Sequence, residues 1–526
     1  MIATRPPLKV QDSYAKVCGR RRFMRAHLFV FATVGIVAAP VYCQVPKTWD
    51  DAEIAQHEIP LADPAASPKH VSADYYYRIP VRPIYKGYPV YAPGHEPSGY
   101  MDWLKQQEPV VVWDDRGNAP PLKTEGDWIR AGQIAFDAPL RFDVIFRVED
   151  IRNPSLYEKA GIPVAKDGTV PEFQYIVHKK GTVELGTIAC ASCHTRVMPD
   201  GTVLKGAQSN FPVQRAVAFT MRANAATTKD MEQLLAQTRT GLKVLHKAPW
   251  LHPDPEDRID SMSMEEIASA FEAVPPGTSL RHRSNSFLAV NVPDLIGVKD
   301  RRYLDRTGLE VQRSIGDIMR YAAMNQGGDG LASYAGFIPA DAPRFSQLPA
   351  PEASSRYSDE QLYALALYIY SLQPPTNPNK FDSIAALGQK VFKRERCATC
   401  HPAPLYTNNT LTPADGFTIP EDHKKKYDIM PISVGTDPTL TLRTRRGTGY
   451  YKVPSLKGDW YRGMFEHNGS CATLEDWFDP ARLRNDYVPT GFVGYGIKTR
   501  AVPGHQFGLN LSADDKRALI GFLKTL

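Results

Sequence analysis

Cys190-Ala191-Ser192-Cys193-His194 and Cys397-Ala398-Thr399-Cys400-His401 are two copies of one five-residue pattern, and their reading decides the fold. Two thiols three positions apart can each add to one vinyl group of a haem. The histidine that follows then lies under the ring, where it can bind the iron. Zinc ribbons also use paired Cys-x-x-Cys units, usually at short separation. Here the pairs lie far apart in the chain, and each carries the same trailing histidine. A thioredoxin-like site would account for one cysteine pair and for neither histidine. Both copies read as covalent haem c attachment sites through Cys190, Cys193, Cys397 and Cys400, with His194 and His401 as iron ligands.

The N-terminus agrees. Arg20-Arg21-Arg22 and Arg25 precede an uncharged run from Leu28 to Val41, with small residues at Ala38 and Ala39. A basic region followed by a short apolar one reads as a secretory signal peptide over residues 1–43, too short for a comfortable membrane span. Arg20 to Arg25 also looks like a twin-arginine export motif. Haem c is attached to an unfolded exported chain, so an ordinary basic leader is the reading adopted. The expectation is a periplasmic or secreted protein with no membrane span after cleavage. Of the 7 cysteines, Cys18 and Cys43 fall in or at the end of the leader and four belong to the motifs. Cys471 is left over, so no disulfide framework is expected.

The formal charge of +6 includes the leader's arginines, so the mature chain is nearly balanced and gives no case for a nucleic-acid partner. The 44 prolines and 25 tyrosines, set against 43% hydrophobic residues, suggest long ordered loops rather than disorder. The length beyond the leader implies two or three domains.

A weak internal repeat organises them. Ile384, Leu387, Val391 and Phe392 fall at helical spacing before the second motif, with Gly388 between them. Ser512-Ala513-Asp514-Asp515 caps a closing helix that carries Leu519, Ile520, Phe522 and Leu523. Upstream, Ile129, Gly132, Ile134 and Phe136 form a comparable opening helix. Ser358-Asp359-Glu360-Gln361 caps a closing one, and Pro374-Pro375 then breaks the chain. The fold class expected is mainly α: two cytochrome c-like haem domains with long loops and a small β-containing insertion in the first. The first haem domain is placed at 125–375 and the second at 380–526. The insertion includes the β-prone run Phe142–Phe146. Residues 44–124 form a Pro- and Tyr-rich extension expected to wrap on the core.

Each iron has a second axial position, and its occupant separates carrier from enzyme. For the second haem the candidates are Met430, Met464, His423, His467 and His505. For the first, Met198 follows His194 too closely, and Met262, Met264, Met319 and Met324 remain. The helical pattern around Met319 and Met324 favours core packing for both.

The block Thr444-Arg445-Arg446-Gly447-Thr448-Gly449-Tyr450-Tyr451-Lys452-Val453-Pro454-Ser455-Leu456-Lys457-Gly458, continuing to Phe465-Glu466-His467-Asn468-Gly469-Ser470, resembles the signature of bacterial dihaem cytochrome c peroxidases. Their relatives include the methylamine dehydrogenase maturation enzyme and the dihaem rubber oxygenases. The resemblance covers both haem motifs and most of residues 125–526. It implies a first haem that is open and reactive toward peroxide or dioxygen, and a second that transfers electrons. Typical dihaem peroxidases place an axial Met about a dozen residues beyond the His-x-Gly-Ser element. Here that stretch reads Trp477-Phe478-Asp479-Pro480-Ala481-Arg482, without Met. His505, just before the closing helix, is the ligand expected in its place, giving the His/His iron that the rubber-oxygenase branch implies. Met430 is the runner-up, and His467 reads as a structural or propionate-contacting residue.

The resemblance also implies an aromatic residue between the haems, often Trp. Tyr303 is the candidate for that position, with Trp250 as the alternative. No other catalytic residue is assigned from the sequence. The run Phe287–Leu295 could line a dry pocket, or simply pack in a core. Calcium sits between the haem domains of some relatives, but no acidic loop here demands it. The expected partners are a small-molecule oxidant, an apolar organic substrate on the oxygenase reading, and an external redox protein. The function read from the sequence is an exported dihaem oxidoreductase of peroxidase or oxygenase type, leaning to the rubber-oxygenase-like branch. The alternative is a pure electron-transfer cytochrome, and a cap on the first iron would decide between them.

Overall fold

Helices open and close each of the two cysteine-bearing stretches. The computed structural model describes residues 45–50, 52–53, 68–70, 73–280, 285–326, 332–334, 355–445 and 447–526. The leader expected at 1–43 lies outside them.

Helix α1 (Glu125–Asp137) begins where Thr124 Oγ1 accepts from Asp127 N and the Asp127 carboxylate accepts from Thr124 N. This reciprocal cap satisfies N–H groups that a helix start otherwise leaves unpaired. Helix α2 (Cys190–Cys193) is the first cysteine motif itself. Helix α3 (Ile315–Gln326) packs on α4 (Asp359–Ser371), which starts on the expected cap between Ser358 and Gln361. Helix α5 (Ser383–Arg394) starts on Asp382 and runs toward the second motif. Helix α6 (Ala513–Lys524) starts on Ser512, whose hydroxyl accepts from Asp515 N.

α1 crosses α4, and α5 crosses α6. The two crossings share one device. A Cβ added to Gly132 would overlap the Ala364 carbonyl oxygen and press on Tyr368, and one added to Gly388 would overlap the Ala518 carbonyl oxygen and press on Phe522. In each pair a glycine on the opening helix lets its backbone touch a small residue and an aromatic one turn apart on the closing helix. The apolar core under the first crossing gathers Phe136, Met319, Met324, Leu362, Leu365 and Ile369, and Cys190 packs against it. The core under the second gathers Val391, Phe392, Leu519, Phe522 and Leu523, and Cys397 packs against it. Phe522 meets Phe392 and Tyr406 with ring centres 5.3 and 6.1 Å apart.

Helix accounts for 38% of the structure and strand for 13%, so the chain is mostly helical with small sheets. The largest sheet joins β1 (Gly87–Tyr91), β2 (Arg141–Phe142), β3 (Thr169–Lys179) and β4 (Thr182–Thr187) in the order β1-β3-β4-β2, all antiparallel. Tyr88 faces Tyr175, Gln174 faces Gly186 and Arg141 faces Thr187 across it. β1 comes from the Pro- and Tyr-rich segment, which thus supplies an edge strand. The β-prone run Phe142–Phe146 is strand only at Phe142. Asp143 turns left-handed at φ 51°, and its carboxylate accepts from Leu185 N, which ends the ladder there. No helix among the described residues is long and apolar enough to cross a membrane.

Candidate haem sites

The second motif is a tight turn. Cys397–Thr399 forms a 3-10 turn after Arg396, which sits left-handed at φ 60°, and His401 N donates to the Cys397 carbonyl at 2.9 Å. His401 is 7% exposed, and its Nδ1 lies 3.0 Å from the Tyr406 carbonyl. A carbonyl only accepts, so Nδ1 carries the hydrogen and Nε2 keeps the lone pair a metal needs. Burial holds the His401 ring below the usual imidazole range, hence neutral.

The ring of His505 lies with its centre 6.5 Å from that of His401, at an interplanar angle of 61°. Two imidazoles bound at about 2.0 Å to one metal ion put their ring centres roughly 6 Å apart. The observed separation fits a shared iron. His505 is half-buried as a residue, but its Nδ1 is fully buried and finds no partner on another of the described residues. Burial, then repulsion from His401 and Arg482, pushes its pKa down to about 3, so this ring too is neutral, the form that ligates.

The loop that presents His505 is braced from below. His505 stands left-handed at φ 45°, Gly504 before it at φ 85°, and His505 N donates to the Val434 carbonyl at 2.7 Å. A Cβ on Gly504 would press on Gly435 and Thr436 N, so only glycine fits there. Arg482 is fully buried. Its guanidinium donates to the carbonyls of Trp477 (2.9 Å), Val502 (2.5 Å), Gly504 (2.9 Å) and His505 (2.8 Å). The Trp477 ring lies 5.2 Å from that of His505. The stretch that lacks a methionine thus contributes Trp477 and Arg482, which hold a histidine instead.

The other candidates for the second iron lie elsewhere. Met430 Sδ sits 3.7 Å from Cys400 Sγ and accepts from Asn408 Nδ2 at 3.2 Å, on the cysteine side of the motif. His423 is buried and bonds through Nδ1 to Tyr450 OH at 2.9 Å. His467 contacts the Glu466 carboxylate, its ring 4.8 Å from that of Tyr451.

In the first motif, Ser192 Oγ accepts from Ala189 N and donates to the Glu172 carbonyl on β3. His194 N donates to the Cys190 carbonyl at 2.9 Å, and the His194 carbonyl accepts from Gly206 N at 2.7 Å. Met319 and Met324 are buried in the apolar cluster that Cys190 joins, whereas Met262 belongs to a separate one and Met264 is buried at the start of the helix Met264–Glu272. Glu172 is 1% exposed, and neither carboxylate oxygen has a partner among the described residues. Burial pushes it up to about 8, so it keeps its proton at neutral pH. Nothing in the local sequence marked it, because its burial is imposed by packing against the motif.

Tyr303 is 2% exposed, and its hydroxyl accepts from Asp428 N at 2.8 Å. It lines a cleft with Arg301, Thr407, Lys452, Pro454 and Ser455, next to the second motif. The run Phe287–Leu295 holds a polar hub at its centre: Asn291 is 2% exposed, and its side chain bonds to Gln208, Arg306 and the Glu466 and Met464 carbonyls. Burial pushes the Cys397 thiol up to about 11 and raises Cys400 as well. That is opposite to the lowered values of redox-active cysteine pairs. No disulfide joins the described cysteines, and the two cysteine pairs are consistent with two haems.

No family model and no curated protein matches this chain. Among solved structures, it is similar to Kuenenia stuttgartiensis hydrazine synthase pressurised with 20 bar xenon, at 14% identity and a TM-score of 0.27, over 59% of this chain and 92% of that one. It is also similar to a MauG-like protein associated with microbial copper homeostasis, at 15% identity and a TM-score of 0.28, over 57% of this chain and 90% of that one.

Proposed function

We propose that this chain is an exported dihaem c-type cytochrome oxidoreductase. One haem is bound through Cys190 and Cys193 with His194 below it, the other through Cys397 and Cys400 with His401 below it. The haem groups supply one-electron chemistry and, where an axial position is open, a place for peroxide or dioxygen to react. The observation that carries the reading is the pair His401 and His505, whose ring centres lie 6.5 Å apart beside the second motif and whose rings burial keeps neutral.

On this reading His401 and His505 would both ligate the second haem, which would supply electron transfer. The Tyr406 carbonyl fixes the His401 tautomer, and Arg482 with Trp477 fixes the His505 ring. The first haem, held through Cys190, Cys193 and His194, would supply the chemistry with peroxide or dioxygen. A His/His second iron in place of a His/Met one favours the rubber-oxygenase-like branch of the resemblance, with an apolar organic substrate. A second reading, a pure electron carrier, is favoured by one observation: Met319 and Met324 are buried in the cluster that Cys190 joins, and either sulfur on the first iron would close it.

Low-temperature EPR of the purified ferric protein separates the two. The expected spectrum has one high-spin and one low-spin haem, and His505→Ala converts the low-spin signal. Two low-spin haems at rest would favour the carrier. A chain with fewer than two haems by pyridine haemochrome assay would refute the dihaem reading altogether.

A further inference from the structure

A buried polar seam runs between the two cysteine motifs. The His194 carbonyl accepts from Gly206 N, and the Gly206 carbonyl accepts from Leu295 N at 2.8 Å. Beside Leu295, the Asp294 carboxylate accepts from Tyr461 OH at 2.7 Å, and the Asp294 carbonyl accepts from Arg301 Nη1 at 2.6 Å. Arg462 Nη2 donates to the Ser455 carbonyl at 3.0 Å, and Ser455 Oγ donates to the Leu405 carbonyl at 2.7 Å, shortly after His401.

Three guanidinium groups lie in this seam, those of Arg301, Arg306 and Arg462. Burial, with repulsion from Arg462 and Arg301, pushes Arg306 down to about 9, and burial lowers Arg301 too. Of the three, only Arg462 forms an ion pair with a carboxylate among the described residues, that of Asp459, while the single Asp294 carboxylate acts on all three from further off. Arg301 bonds to the carbonyls of Asp294 and Ile296, and Arg306 to oxygens of Asn291 and Val292. Guanidinium groups gathered in an interior are costly unless an anion joins them. Arg301 and Arg306 are half-buried, and Arg301 lines the cleft beside the second motif. The Asn291 amide that anchors Arg306 is held in turn by Gln208, whose neighbour Ser209 donates to the Cys193 carbonyl. The cluster therefore touches the frame of both motifs.

We propose that Arg301, Arg306 and Arg462 form an anion cradle that holds haem propionate carboxylates between the two motifs. The proposal rests on the dihaem reading above. A carboxylate offers two oxygens in one plane, which suits the fork of a guanidinium. A positive group held against a propionate offsets its negative charge and favours the reduced iron, so the cradle raises the potential of the haem it serves.

The test uses full-length holoprotein carrying Arg306→Gln, Arg301→Gln or Arg306→Lys, with haem content by pyridine haemochrome and midpoint potentials by spectroelectrochemical titration. Fewer than two haems in the parent protein would defeat the dihaem reading itself. With two haems present, each Gln variant is expected to make reduction of at least one haem about tenfold less favourable, 59 mV for one electron. Arg306→Lys should retain most of the potential. Potentials equal to the parent's in both Gln variants would overturn the proposal. So would a parent potential that depends on added acetate or phosphate and loses that dependence in Arg306→Gln, since the cradle would then take a dissolved anion. If neither Gln variant accumulates, the propionate-bending band in the resonance Raman spectrum decides: an unchanged band in Arg306→Lys overturns the assignment, and a shifted one supports it.

Discussion

Replacing Arg482 by Met should loosen the second haem site without touching either proposed iron ligand. Arg482 is fully buried, and all four of its acceptors are main-chain carbonyls in the stretches 477–482 and 502–505. Met cannot donate to any of them. The bonds to Val502 and Gly504 are buried at both ends, and an orphaned buried acceptor costs about 1–3 kcal/mol, so the pair costs about 2–6 kcal/mol. Against this, burial already disfavours the charge on Arg482, and Met removes that desolvation while adding apolar contact. The net loss should lie near the lower end, about 2 kcal/mol, or roughly 30-fold in the unfolding equilibrium. The same loss reaches the iron. His505 stands at φ 45°, a left-handed conformation that costs a non-glycine residue about 1–2 kcal/mol and persists only when its surroundings enforce it. With the Arg482 bonds to Gly504 and His505 gone, the loop can relax and withdraw the ring. Urea denaturation of the ferric holoprotein, followed through the Soret band, reads the first effect, and low-temperature EPR reads the second. Arg482→Lys keeps the charge but cannot span four acceptors, so it should fall between Met and the parent. A Met variant with the parent's urea midpoint and an intact His/His low-spin signal would refute both steps.

Other outcomes follow from the same geometry. Gly388→Ala should destabilise the holoprotein by about 1–3 kcal/mol, because the new methyl meets the Ala518 carbonyl, a backbone atom that cannot swing aside; calorimetry would detect it. Met430→Leu should leave the axial ligation of the second haem unchanged, since the sulfur lies beside Cys400; a change in the low-spin EPR g values would contradict this. Glu172 has a folded pKa near 8, above its usual 4.5, so between those values the native state binds more protons than the unfolded chain. Its contribution is fully present below about pH 4.5 and is lost as pH rises through 8, with an overall span of about 5 kcal/mol. Glu172→Gln should flatten that falling limb in urea titrations run across the window, and an unchanged slope would count against a buried, unpaired carboxyl.

What the sequence disclosed, and what it did not, follows from how local each signal is. The cysteine motifs, the helix caps at Ser358 and Ser512, and the glycines at the helix crossings are all read within a few neighbouring residues, and the structure contains each of those caps and crossings. His505 was named from the resemblance, where the expected methionine is absent, and the structure brings its ring centre to 6.5 Å from that of His401. The role of Arg482 was not legible: its acceptors lie as far off as 502–505, and no pattern within 477–482 says that a guanidinium must face them. Asn291 is a similar case. It sits inside an apolar run whose composition suggested a dry lining, yet the fold makes it the meeting point of Gln208, Arg306 and the 464–466 carbonyls. The Phe142–Phe146 run misled for a local reason, since β-propensity cannot foresee that Asp143 will turn left-handed to accept from Leu185.

The repeat bears on the proposed asymmetry of the two irons. The crossings at Gly132 and Gly388 share one geometry, with α4 and α6 as the closing helices of the two units. In the second unit the segment before α6 includes the 502–505 loop, which carries His505. In the first, the residues leading to α4 read Ala335-Gly336-Phe337-Ile338-Pro339-Ala340-Asp341-Ala342-Pro343-Arg344-Phe345-Ser346-Gln347-Leu348-Pro349-Ala350-Pro351-Glu352-Ala353-Ser354-Ser355-Arg356. This stretch holds no His, Met or Cys, so it offers no side chain of the kinds that usually close a haem iron. On the proposed reading, the sequence before α4 thus offers no counterpart to His505. That leaves Met319 and Met324 as the only candidates named above that pack in the Cys190 cluster, and both lie on α3, where their side chains already fill the core beneath α4. Drawing either sulfur onto the iron would open a cavity there, at about 2–5 kcal/mol if the buried side chain were lost outright. An open first iron requires no such rearrangement, which is why the enzyme reading is preferred to the carrier.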